Sequence, residues 1–103
     1  MSLSTHVLDT VRGEPASGVP VRLERERDGQ WAAVATGSTD QDGRLRDWVP
    51  PHAWATGVYR LVFGTDGPFF PEVVVVFRVT DPLRHHHIPL LLGPYGYTTY
   101  RGS

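Results

Sequence analysis

Apolar and polar residues alternate with a period of two along most of this chain, in short runs ended by turn chemistry every ten residues or so. Residues 5–10 predict a first strand, stopped by Arg12-Gly13-Glu14-Pro15 and Ser17-Gly18. Val19, Val21 and Leu23 then face one way while Arg22 and Glu24 face the other, and Asp28-Gly29 predicts a hairpin into a strand over residues 31–39. Asp40-Gln41-Asp42-Gly43 reads as a second turn, leaving Arg44 at the mouth of a short strand over residues 44–48 that Pro50-Pro51 ends.

In the second half, residues 58–63 are apolar on both faces, which predicts a central strand, and residues 64–71 form a loop. Residues 73–79 carry the strongest strand pattern, with Val73, Val75, Phe77 and Val79 on one face. Residues 85–92 predict another strand, in which Pro89 calls for an edge, a bulge or another place that tolerates a missing N–H. Tyr95, Tyr97, Thr99 and Arg101 alternate with Thr98 and Tyr100, so a last strand is expected to run to the final residue. Many short strands with no helical period predict an all-β sandwich or barrel, and 103 residues give room for one domain, residues 1–103.

Charge and composition narrow the partners. The formal net charge is -1 and the ten basic residues are all Arg without a run among them, so neither nucleic acid nor an anionic membrane surface is an expected partner. The absence of Lys removes Schiff-base chemistry, and the absence of Cys removes disulfides, thiolate nucleophiles and Cys-ligated zinc. No apolar run approaches the roughly 20 residues of a membrane span, and Met1-Ser2-Leu3 lacks the pattern of a secretory leader. A soluble, cytoplasmic protein is the expectation.

The candidate chemistry lies in histidines, one arginine and the final residues. On a strand His85 and His87 share a face and His86 takes the other, so two of the three could act together, with His6 as a further strand-borne partner. That set is thin for zinc, and no metal is expected. Arg44 offers planar, permanently charged donors suited to an oxyanion, against the plainer reading of a solvated residue after a turn. Ser103 carries a hydroxyl, and a terminal residue of this kind is ordinarily frayed.

These scattered residues share a resemblance. Ser4-Thr5-His6-Val7-Leu8-Asp9-Thr10 with Gly13-Glu14-Pro15-Ala16, Asp42-Gly43-Arg44, Phe69-Phe70-Pro71-Glu72-Val73, and the stretch from His87-Ile88-Pro89 to Tyr100-Arg101-Gly102-Ser103 resemble the transthyretin-like 5-hydroxyisourate hydrolases. The final Tyr-Arg-Gly-Ser separates those enzymes from the hormone-carrying transthyretins. The resemblance implies a two-sheet Greek-key β-sandwich, a homotetramer, and hydrolysis of the ring amide of 5-hydroxyisourate without a metal or organic cofactor. It assigns catalysis to His6, Arg44, His87 and Ser103, and substrate contacts to His85, Tyr100, Arg101 and Gly102. His86 stands where the family usually has Tyr, and the segment between residues 63 and 69 is too short for the family's usual helix.

Such a reaction needs a base for water, charge at the oxyanion and a donor for the leaving nitrogen. Either His6 or His87 could be the base, with Arg44 at the oxyanion and Arg101 and Ser103 orienting water or substrate. Two other classes stay open on sequence grounds: a transthyretin-like carrier of a small ligand, and a structural sandwich without catalysis.

Overall fold

A computed structural model describes residues 2–103. The strands are β1 (Leu3–Asp9), β2 (Glu14–Pro15), β3 (Pro20–Arg27), β4 (Gln30–Ser38), β5 (Arg44–Leu45), β6 (Gly57–Phe63), β7 (Val73–Val79), β8 (His86–Leu92) and β9 (Tyr97–Thr99). One sheet has the order β2-β1-β8-β9, with β5 also paired to β1; the other has the order β4-β3-β6-β7. Residues of alternating polarity turn their apolar sides inward from both sheets. Leu3, Val7, Leu23, Tyr59, Leu61, Phe63, Val73, Val79 and Leu90 meet in the resulting core with almost no exposed surface.

Local chemistry explains where the chain turns. At the β3–β4 hairpin Asp28 and Gly29 both have positive φ, 53° and 79°, the twist that a tight hairpin between right-twisted strands requires. The buried phenol of Tyr59 donates to Ala53 O at 3.1 Å and accepts from Ala55 N–H at 3.0 Å, so its burial strands no polar atom. The loop between β6 and β7 has no helical turn. The Thr65 hydroxyl and the Gly67 N–H close it on Phe70 O at 2.9 and 3.1 Å, and Phe70 packs edge-on against Tyr97 of β9.

Three expectations change. β5 stops at Leu45 instead of reaching Trp48, because Asp47 takes a positive φ of 56° and leaves the extended region. The last strand ends at Thr99, and the chain leaves the ladder before Gly102 rejoins it opposite His87. Pro89 sits at neither an edge nor a bulge but in β8, between β1 and β9. Its carbonyl accepts the Thr99 hydroxyl at 2.8 Å, so its backbone faces the gap between the end of β9 and Gly102, where no ladder bond is lost.

Candidate active site

Burial of Leu3, Thr5 and Val7 fixes which side of β1 meets the core, so Ser4 and His6 lie on the outer face of the sheet. On β8 His86, Ile88 and Leu90 turn to the core, which leaves half-buried His87 on the outer face, followed there by Pro89, buried between β1 and β9. Parallel pairing sets Ser4 opposite His87, and antiparallel pairing sets His6 opposite Arg44. Two residues some eighty positions apart thereby become neighbours: Ser4 Oγ is 2.7 Å from His87 Nδ1 and 2.8 Å from His85 Nε2.

The turn before β5 holds the other side. Asp40 Oδ1 accepts the N–H of Asp42 at 2.8 Å and of Arg44 at 3.0 Å, while the Asp40 N–H donates to Arg44 O at 2.8 Å. The Arg44 N–H holds the Asp40 carboxyl below its ordinary range despite some desolvation, helped by the Asp42 N–H and the charges of Arg46 and Arg44. Gly43 has φ +75°, and a Cβ there would collide with the carbonyl oxygen of Val7, so the turn can lie against β1 only without a side chain. His6 Nε2 is 2.9 Å from Asp42 O; a carbonyl only accepts, so this nitrogen carries hydrogen and Nδ1 is the free one.

Ser4, Arg44, Arg46, His85, His87 and Ser103 line a cleft of about 250 Å3. Half-buried His87 has its pKa pushed below the ordinary histidine value, first by burial, then by the charge of Arg44 and the neighbouring His85 and His6. It is therefore a neutral imidazole near neutral pH. The chain end closes the cleft: Gly102 N–H donates to His87 O at 2.8 Å, and a Cβ on Gly102 would stand 2.5 Å from His87 Cδ2. Ring and tail touch because residue 102 has no side chain.

Of the residues singled out from sequence, Arg44, His85, His87 and Ser103 share this cleft, with Gly102 against its wall and His6 beside Arg44. Tyr100 and Arg101 are not among them. They line a separate, mostly apolar cleft of about 170 Å3 with Phe77, Ile88 and the far side of His87. Buried His86 points into the sandwich, edge-on to Trp54, with its Nδ1–H on Arg84 O at 2.8 Å. Among the described residues no group of three or more His, Asp or Glu is placed to hold a metal ion. Sequence reasoning passed over Ser4, Asp40 and Arg46. Strand alternation already put Ser4 on the face of His6, and Arg46 on that of Arg44, which was the available signal.

Fold and cleft together define a transthyretin-type β-sandwich that carries acid–base side chains on the outer face of one sheet. The chain belongs to the HIUase/Transthyretin family, which it matches over residues 3–102. It is 47% identical over 109 residues to the 5-hydroxyisourate hydrolase of Salmonella dublin, covering 98% of this chain and 80% of that one. With the 5-hydroxyisourate hydrolase of Caulobacter vibrioides it shares 46% over 116 residues, covering 98% and 97% of the two chains. Among solved structures, sea bream transthyretin in complex with thyroxine superimposes with a TM-score of 0.92 at 33% identity, over 99% of this chain and 95% of that one.

Proposed function

We propose that this protein hydrolyses the ring amide of 5-hydroxyisourate, the activity named for its relatives in Salmonella dublin and Caulobacter vibrioides. One observation carries the reading: a half-buried histidine kept neutral, His87, shares a small polar cleft with Arg44 and Ser103. Among the described residues His87 Nε2 has no hydrogen-bond partner, whereas Nδ1 is held by Ser4, so Nε2 is the nitrogen that takes a proton from water. The hydroxide adds to the ring carbonyl, and Arg44 stabilises the oxyanion with donors that need no reorganisation. The proton taken up at His87 Nε2 is returned to the leaving ring nitrogen, while His6, held by the Asp42 carbonyl, stands beside Arg44, and Ser103 binds the polar edge of the substrate.

The test is the decay of the ultraviolet absorbance of freshly generated 5-hydroxyisourate. The wild-type protein will accelerate it, and His87→Ala and Arg44→Ala will each lower kcat/KM by about 100-fold or more. Binding of the substrate without turnover would instead support a carrier. The active form is a homotetramer: the edge strand β7 exposes Val74 and Val76, and Tyr97 and Tyr100 are exposed at the other sheet's edge, apolar surface that an isolated β-sandwich keeps covered.

A further inference from the structure

Ser4 has a single hydrogen to give, and two ring nitrogens within hydrogen-bond distance to give it to. If it donates to His85 Nε2, it accepts from His87 Nδ1–H, and His87 Nε2 is left as a bare lone pair. If it donates to His87 Nδ1, it accepts from His85 Nε2–H, and His87 Nε2 carries hydrogen and cannot act as a base. A third arrangement, with both rings donating to Oγ, leaves the Ser4 hydrogen without an acceptor among its contacts. The first arrangement is the reactive one, and its product is the second with an extra proton on His85.

We infer that His85, Ser4 and His87 form a proton wire, through which the proton taken from water at His87 Nε2 is passed on to His85. The inference rests on the proposed hydrolysis. As the water O–H bond breaks, its electron pair forms the new bond to the ring carbonyl carbon and its proton bonds to His87 Nε2. The Nδ1 proton of His87 moves to Ser4 Oγ, and the original Ser4 proton moves to His85 Nε2. His87 and Ser4 end neutral, His85 ends as imidazolium, and its charge balances the oxyanion held by Arg44.

Electrostatics gives the wire its direction. His87 is half-buried and next to Arg44, where a positive charge is poorly tolerated, while His85 is exposed to water at the start of β8. The charged and titratable groups around the wire are Arg44 and Arg46 from the β5 side with the Asp40 carboxylate behind them, His6 on β1, Arg78 on β7, His86 on β8, and Tyr100, Arg101 and Ser103 on the tail. The arginines lining the clefts favour moving the proton from half-buried His87 to exposed His85, where solvent screens their charge. His85 is thus a proton acceptor rather than a substrate contact, and Ser4 a positioning residue that acts through His87.

Kinetics and imidazole nitrogen spectra test this separately. In wild-type protein above the histidine titration range, 15N shifts will show hydrogen on Nδ1 of both His85 and His87, and Ser4→Ala will abolish this preference; hydrogen on His87 Nε2 in the wild type would overturn the wire. Ser4→Ala and His85→Gln will each lower kcat/KM for 5-hydroxyisourate by about tenfold or more. The double variant will be no slower than the slower single one, and Ser4→Thr, which keeps the hydroxyl, will restore both the rate and the Nδ1 preference. Wild-type rates in both single variants, or losses that multiply in the double variant, would overturn the inference. His85→Gln changes only an exposed residue, so it carries the test even if Ser4→Ala perturbs β1. A wild-type protein that shows the tautomers but does not turn over 5-hydroxyisourate would refute the proposed activity and with it the catalytic use of the wire.

Discussion

Gly102 shows how far a single atom matters here. Its backbone does not need the left-handed region; what it needs is the absence of a Cβ, since that atom would press on the imidazole of His87. Gly102→Ala therefore forces either a turn of the His87 ring or a lift of the tail that carries Ser103. Misplacement by about 1 Å costs on the order of 100-fold in rate, and kcat/KM for 5-hydroxyisourate will fall by about that factor. Folding will barely change, by less than about 1 kcal/mol in a denaturant titration, because the bridge to His87 is one bond at the margin of the sheet. At this scale the sequence was legible wherever alternation decides a face: His85 and His87 do lie together, with His86 opposed to them. It could set Ser4 on the face of His6 but not name its partners, which are fixed by the register of two strands 83 residues apart and not by anything local. Tyr100 and Arg101, which the resemblance and not alternation named, lie where the tail has left the strand and line the neighbouring cleft.

Among the elements, β3 carries the clearest electrostatic dependence. A register shift between Leu23 and Glu24 marks a bulge against β4. Glu24 accepts from Arg60 on β6 at 2.6 Å and from Arg22 at 2.9 Å, and Arg60 in turn lies 4.5 Å from the centre of the Trp31 ring on β4. Burial alone would raise the Glu24 pKa, but the hydrogen bonds from Arg60 and Arg22, and then their charges, outweigh it and lower the value. A carboxyl with a lower pKa folded than unfolded adds stability above its ordinary range and loses it as pH falls through the folded value. Glu24→Gln will cost about 1 kcal/mol at pH 7, since the arginines are partly solvated, seen as a melting point roughly 4–8 °C lower. The gap between variant and wild type will narrow at pH 3. Strand existence was readable for every strand but β2, whose exposed Glu14 and Pro15 read as part of a turn; elsewhere burial of one face imposes the period. Strand ends were less so: the positive φ of Asp47 is a single-residue choice that no periodicity announces.

For the whole molecule, the spacing of strands and turns left a sandwich or a barrel; the resemblance selected the two-sheet sandwich and, set against the short β6–β7 connection, marked the missing helix. The order of strands was not, because pairing β1 with β8 brings together opposite ends of the chain and depends on contacts of maximal sequence separation. Assembly is the property that belongs to this scale. Light scattering on purified protein will give four times the 11.5 kDa of one chain, and Val76→Lys on the exposed side of β7 will shift the mass downward by placing charge at a free sheet edge. A monomeric wild type with full activity would remove the tetramer from the proposal.

The parallel pairing of β1 with β8 also sets a timetable. β1 is synthesised early, yet one of its flanks has no partner until β8 has emerged, and closing that gap demands the costliest loop in the molecule. On the proposed mechanism, a nascent or truncated chain that already owns His6 and Arg44 still lacks its base, His87, and it presents an unguarded apolar strand to its neighbours. Competence to react and protection from aggregation therefore arrive in the same late event.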